Sequence, residues 1–71
     1  MADSVYRVTE VIGTSTESWE KAAQNAIATA AESVRDLRIA EIKKSDLVVE
    51  NGQVSAYRVR MDLSFKYDST A

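Results

Sequence analysis

Asn51 and Gly52 constrain this chain more than any other pair, because they sit between two long runs of alternating side chains. The dipeptide favours both positive φ angles of a type I′ turn, whose twist suits antiparallel strands. In the run that follows, Gln53 to Tyr67, one face carries Tyr57, Val59, Met61, Leu63, Phe65 and Tyr67, and the other carries Arg58, Arg60, Asp62, Ser64 and Lys66. That pattern predicts a strand with one buried and one wet face. The run before the turn, from about Arg38 to Glu50, is then its antiparallel neighbour. Strict alternation places Ile39, Glu41 and Lys43 on one face and Arg38, Ala40, Ile42 and Lys44 on the other, and neither reads as a monomer core.

Two further elements precede this hairpin. Ser4 to Ile12 is rich in β-branched residues, with Tyr6, Val8 and Ile12 on one side and Val5 and Val11 on the other, so it reads as a strand broken by Gly13. Thr14, Ser15 and Thr16 are candidate helix N-caps. Trp19, Ala22, Ala23, Ala26, Ile27, Ala30, Val34 and Leu37 then follow three- and four-residue spacings, which predicts a long helix. Its stripe is mostly alanine, allowing close approach to a sheet. The expected class is α+β, a β-α-β-β subunit whose three-stranded antiparallel sheet partly wraps one helix. Residues 1–71 form a single domain with an ordered core at about 4–67, ending in a frayed DSTA tail.

Length turns this subunit into a problem of assembly. Strands of thirteen to fifteen residues reach roughly 45 Å, whereas a helix of about twenty residues reaches roughly 30 Å. One helix leaves strand ends bearing Leu47, Val48, Val49 and Tyr67 uncovered. A chain of 71 residues without cysteine or histidine has neither disulfides nor the usual transition-metal ligands to compensate. Oligomerisation, or a hard cation held by carboxylates, remains. The expected partner is therefore the chain itself, in a homo-oligomer.

Charge and composition narrow the function. A net charge of −2 gives no basic footprint for nucleic acid. Apolar runs of a few residues provide no membrane span, and MADSVYRV has no signal-peptide pattern, so the expectation is a cytoplasmic protein. Without histidine or cysteine, no nucleophile or acid/base arrangement is recognisable, and the chain reads as a non-enzyme. GTSTES, Gly13 to Ser18, has the strand–glycine–helix order of phosphate sites, but it lacks a P-loop's further glycines and lysine and reads better as a capped helix start. Trp19 reads as core or subunit contact rather than a stacking platform. The polar face of the last strand reads as cross-strand ion pairs with Glu41 and Lys43. Asp46, Glu50 and Asp62 are the strand carboxylates available to a hard cation, yet one chain clusters too few for six to eight oxygen ligands.

Nearly the whole chain, from VYRVTEVIGTS to ENGQVSAYRVRMDLSFK, resembles the dodecins in element order, GTS helix entry, NG turn and final SF-basic segment. The resemblance implies a hollow dodecamer. Flavin-binding members stack isoalloxazine rings on a second-strand tryptophan and hold the ring edge with a third-strand glutamine; those positions fall at Ile39 and Arg58 here, and Glu41 keeps the family's polarity in the same pocket. The loss of aromatic stacking and of a two-way hydrogen-bonding amide argues against a tight riboflavin or FMN site. A basic residue that meets the flavin phosphate in many members falls near Asp46. Aliphatic, arginine and aspartate residues at these positions resemble the calcium-dodecin subgroup, which implies calcium as the ligand, with Asp46 and Glu50 as metal-site candidates. The alternatives are flavin sequestration and a purely structural shell.

Overall fold

A computed structural model of the protein describes residues 4–66; Tyr67 and the DSTA tail lie outside the described residues. Strand β1 (Tyr6–Ser15) leads to helix α1 (Trp19–Ala31), then to β2 (Leu37–Glu50) and β3 (Gln53–Lys66). β3 is the central strand, antiparallel to β1 on one side and β2 on the other. The hairpin forms as its dipeptide requires, with φ of 53° at Asn51 and 72° at Gly52.

The alternation of β3 is realised as expected. Val59, Met61 and Leu63 face α1 and, with Ala22 of the helix, make up the buried apolar centre of the described residues. Val11, Ala23, Ala26, Ile27, Ala30 and Leu37 pack partly buried around it. Alanine is what lets the helix sit so close, and Gly13 completes the approach. Far from breaking β1, Gly13 lies inside the strand opposite Val59. A methyl group there would run into the carbonyl oxygen of Ala22 and stand 2.8 Å from the Ala26 Cβ.

The helix begins at Trp19, the first residue of its apolar stripe, but its cap lies beyond the three candidates and its C-terminal end comes earlier than the spacing predicts. Thr14 and Ser15 belong to β1, and the N-cap is Ser18, whose hydroxyl accepts from the Lys21 N–H at 3.0 Å. Ser15 instead accepts from the Glu17 N–H at 2.9 Å. At the other end α1 stops at Ala31, and Asp36 turns the chain with φ of 58°. Leu37 still packs on the core, but from the first position of β2. Burial continued the three- and four-residue rhythm after the helix had ended.

The β2–β3 ladder carries three irregularities. Arg38 and Lys43 are extra residues on β2, and Ser55 is an extra residue on β3, where its hydroxyl donates to the Val48 carbonyl at 3.3 Å. Each bulge shifts the pleat by one, which flips the faces beyond it. Lys44 thereby joins Ile39 and Glu41 on the face away from α1, instead of sharing a face with Ala40 and Ile42.

A thirteen-residue helix spans about 20 Å of a molecule 54 Å long. The radius of gyration, 14.7 Å, exceeds the about 11 Å expected of a compact domain of this length. Leu47, Val49 and Val54 at the hairpin end and Tyr6, Val8, Ile12 and Ile39 elsewhere stay exposed. The isolated subunit leaves much of its apolar surface unburied.

Candidate functional site

The sheet face turned away from α1 holds the polar candidates, and the ladder register sorts them into rows across the three strands. Thr14, Arg58 and Asp46 form one row; Ile12, Arg60 and Lys44 the next; Glu10, Asp62 and Glu41 the third; Val8, Ser64 and Ile39 the fourth. Ion pairing is strongest in the first. The Arg58 Nε and Nη2 donate to the two Asp46 carboxylate oxygens at 2.8 and 2.9 Å, a bidentate fork. Both side chains are roughly half exposed. The hydrogen bond from Arg58 holds the Asp46 carboxyl below the usual carboxylate range; desolvation opposes it, and the Arg58, Arg60 and Lys44 charges add to the lowering. Asp46 reciprocally raises Arg58.

Asp46 is also gripped through its backbone. The Trp19 Nε1–H donates to the Asp46 carbonyl at 3.1 Å. The indole stands edge-on to Tyr57, with centroids 5.2 Å apart and planes at 80°. Trp19 thus lies at the surface over the β2–β3 pair, 41% exposed, rather than in a core.

The expected ion pairs form in part. Lys43 meets Asp62 at 3.9 Å, but Arg58 pairs with Asp46, and among the described residues neither Glu41 nor Lys66 is in an ion pair. The register places Glu41 directly opposite Asp62, with Glu10 on the other side. The alternation of the strands does not disclose this row of carboxylates; only the pairing of β1 with β3 brings Glu10 into it.

The residues present fit the two implied ligands unequally. Ile39 lies opposite Ser64, six residues from Arg58 along β3, or about 20 Å at strand rise. A pocket using Ile39, Glu41 and Arg58 together needs more than one chain. Arg58, moreover, has already committed two donors to Asp46, and no aromatic ring stands at Ile39, so these residues do not fit a stacked flavin. For a hard cation, Asp46 fits as a donor that stays ionised. Glu50 lies four residues away, about 13 Å along β2, and no group of three or more acidic side chains converges among the described residues. Six to eight oxygens would have to come from neighbouring copies and water. Arg60 and Lys44 weaken the site electrostatically.

An open groove of about 430 Å³ runs between β1 and α1, lined by residues from Val11 to Thr14 and from Asn25 to Ser33. The Asn25 side-chain amide donates to the Thr14 carbonyl there, at 3.1 Å. None of the candidate residues lies in it. No helix among the described residues is long and apolar enough to cross a membrane.

Comparison with known proteins is consistent across sequence and structure. A family model described as Dodecin matches residues 5–68. Calcium dodecin of Mycobacterium tuberculosis is 43% identical over 63 residues, covering 89% of this chain and 89% of that protein. A crystal structure from the same organism, described as a calcium-chelating antigen with a novel calcium-binding site, matches with a TM-score of 0.81 at 40% identity over 96% of this chain and 97% of that one. Dodecin of Thermus thermophilus is 33% identical over 66 residues, covering 93% of this chain and 96% of the relative. The dodecin structure from Streptomyces coelicolor matches with a TM-score of 0.92 at 34% identity, covering 99% of this chain and 100% of that one.

Proposed function

The chain belongs to the dodecin family, and we propose that it works as a non-catalytic homododecamer that binds calcium. Asp46 is the first coordinating group, Glu50 reaches the ion from a neighbouring copy, and the positions of a flavin pocket, Ile39, Glu41 and Arg58, serve structure instead. The observation that carries this reading is the Arg58–Asp46 fork. It takes the guanidinium away from a flavin edge while fixing an ionised carboxylate on an accessible face. A carboxylate offers about four lone-pair sites, and the fork uses two, so oxygen remains for a cation. The similarity to calcium dodecin supports the ligand. The long, thinly buried subunit supports the assembly, because its apolar strand ends need neighbouring copies to cover them.

Native mass spectrometry of the purified protein tests all of this together, after dialysis against calcium in one sample and against riboflavin and FMN in another. Twelve-subunit particles that gain calcium and lose that gain in Asp46→Asn are expected. Particles that gain flavin masses would overturn the ligand, and a particle smaller than a closed shell would overturn the assembly.

A further inference from the structure

We propose that the sheet face turned away from α1 docks on the same face of a second copy, about a two-fold axis that runs across the strands between the acidic and the basic row. This rests on the assembly part of the reading above and is independent of its ligand. Glu10, Asp62 and Glu41 make the acidic row; Arg60 and Lys44, with Ile12 in the third place, make the basic row beside it. Among the described residues Glu10, Glu41, Arg60 and Lys44 form no ion pair, and Asp62 has only Lys43, at 3.9 Å. Strand side chains stand roughly perpendicular to their sheet, and the rows are two residues apart along β3, about 6.6 Å. Both rows therefore point outward side by side instead of toward each other.

In a two-fold contact residue i meets residue j and j meets i, which leaves two ways to lay this face on itself with the strands aligned. An axis along the strands would set each row on its own kind, acid against acid. An axis across the strands, midway between the rows, turns the face end for end. Asp62 then comes over the partner's Arg60, Glu41 over the partner's Lys44 and Glu10 over the partner's Ile12, and each contact occurs twice. Sheets stacked face to face stand about 10 Å apart, a gap that an arginine and an aspartate reaching from opposite sides can close. Charge thereby selects orientation and register. The central strand decides it, because Glu41 and Lys44 lie on an edge strand at the rim, where an ion pair contributes little. The same contact covers Val8, Ile12 and Ile39, all exposed in the subunit.

Charge exchange on β3 tests the docking, read by sedimentation and native mass spectrometry. Arg60→Asp sets a carboxylate against the partner's Asp62, and Asp62→Arg sets a guanidinium against the partner's Arg60. Within a subunit each change places opposite signs beside the neighbours in its own row, which does not weaken the sheet. Across the axis each brings like charges face to face, so either variant alone should dissociate at a protein concentration roughly a hundredfold above that of the wild type. Mixed together, the two variants meet with opposite charges at both contacts and should assemble as the wild type does. Single variants that stay assembled, or a mixture that does not assemble, would overturn the docking and leave the homododecamer standing; a wild type that never assembles would overturn both. Should a single variant not fold, the chain carrying both substitutions decides, since it restores opposite charges at both contacts. It should assemble as the wild type does, and its failure to do so would overturn the docking.

Discussion

The two faces of this one sheet obey different rules. On the side of α1, Val59, Met61 and Leu63 are no more than 2% exposed and meet a helix surface of alanine. On the opposite side, two of the rows across the strands are of like charge, with Glu10, Asp62 and Glu41 abreast and Arg60 and Lys44 abreast beside them, while Arg58 and Asp46 are opposite in sign. Like charges directly opposite destabilise a sheet, so a face shaped only to stabilise the subunit would alternate signs across each row. The helix side thus determines whether the subunit forms, and the outer side what it meets.

If that division holds, the largest effect of mutation belongs to the helix side. Leu63→Ala should cost about 2 to 5 kcal/mol, read from the urea midpoint at fixed protein concentration. With so small a buried centre, the variant should also lose assembly on size exclusion. A loss well under 1 kcal/mol would mean that contacts between copies carry stability which the division assigns to the subunit. Gly13→Ala should come next. Its methyl meets the Ala22 carbonyl and the Ala26 Cβ, and overpacking of this kind costs about 1 to 3 kcal/mol. Hydrogen exchange should show α1 loosened while the β2–β3 hairpin stays protected. Equal loosening of the hairpin would erase the contrast between the faces.

These differences also explain what the sequence could and could not disclose. The hairpin and the buried face of β3 were readable because both depend on local rules, the Asn51–Gly52 turn and a period of two. Gly13 reads as a strand breaker because the reason for it lies in Ala22 and Ala26, which approach from another element. The helix reads too long because Leu37 is buried in the same rhythm from a strand. The contact between Asp46 and Arg58, two residues the sequence does single out, is hidden for a sharper reason. Counting back from the turn without bulges pairs Ser45 with Arg58 and Asp46 with Tyr57. Only the extra residue at Ser55 brings Asp46 opposite Arg58, and nothing in the alternation of either strand announces it.

The smallest effect should come from the outer face itself, in Asp46→Asn measured with calcium removed by chelation. Arg58 lowers the Asp46 carboxyl in the folded protein, so the unfolded chain takes up a proton there first as pH falls. The pair's contribution is therefore complete above the unfolded carboxyl value of about 3.9 and disappears as pH drops through the lower folded value. Melting temperatures of wild type and variant should differ modestly at pH 7, converge in acid, and approach each other in high salt because the pair is exposed. Removing the carboxylate also leaves Arg58 beside Arg60 and Lys44 without a counter-charge in their rows. Part of the loss is then repulsion newly exposed, and Lys44→Gln in the Asp46→Asn background should recover it. If Lys44→Gln recovers nothing, the basic row does not repel Arg58 strongly enough to matter for stability, and its charges must be assigned to whatever the outer face meets.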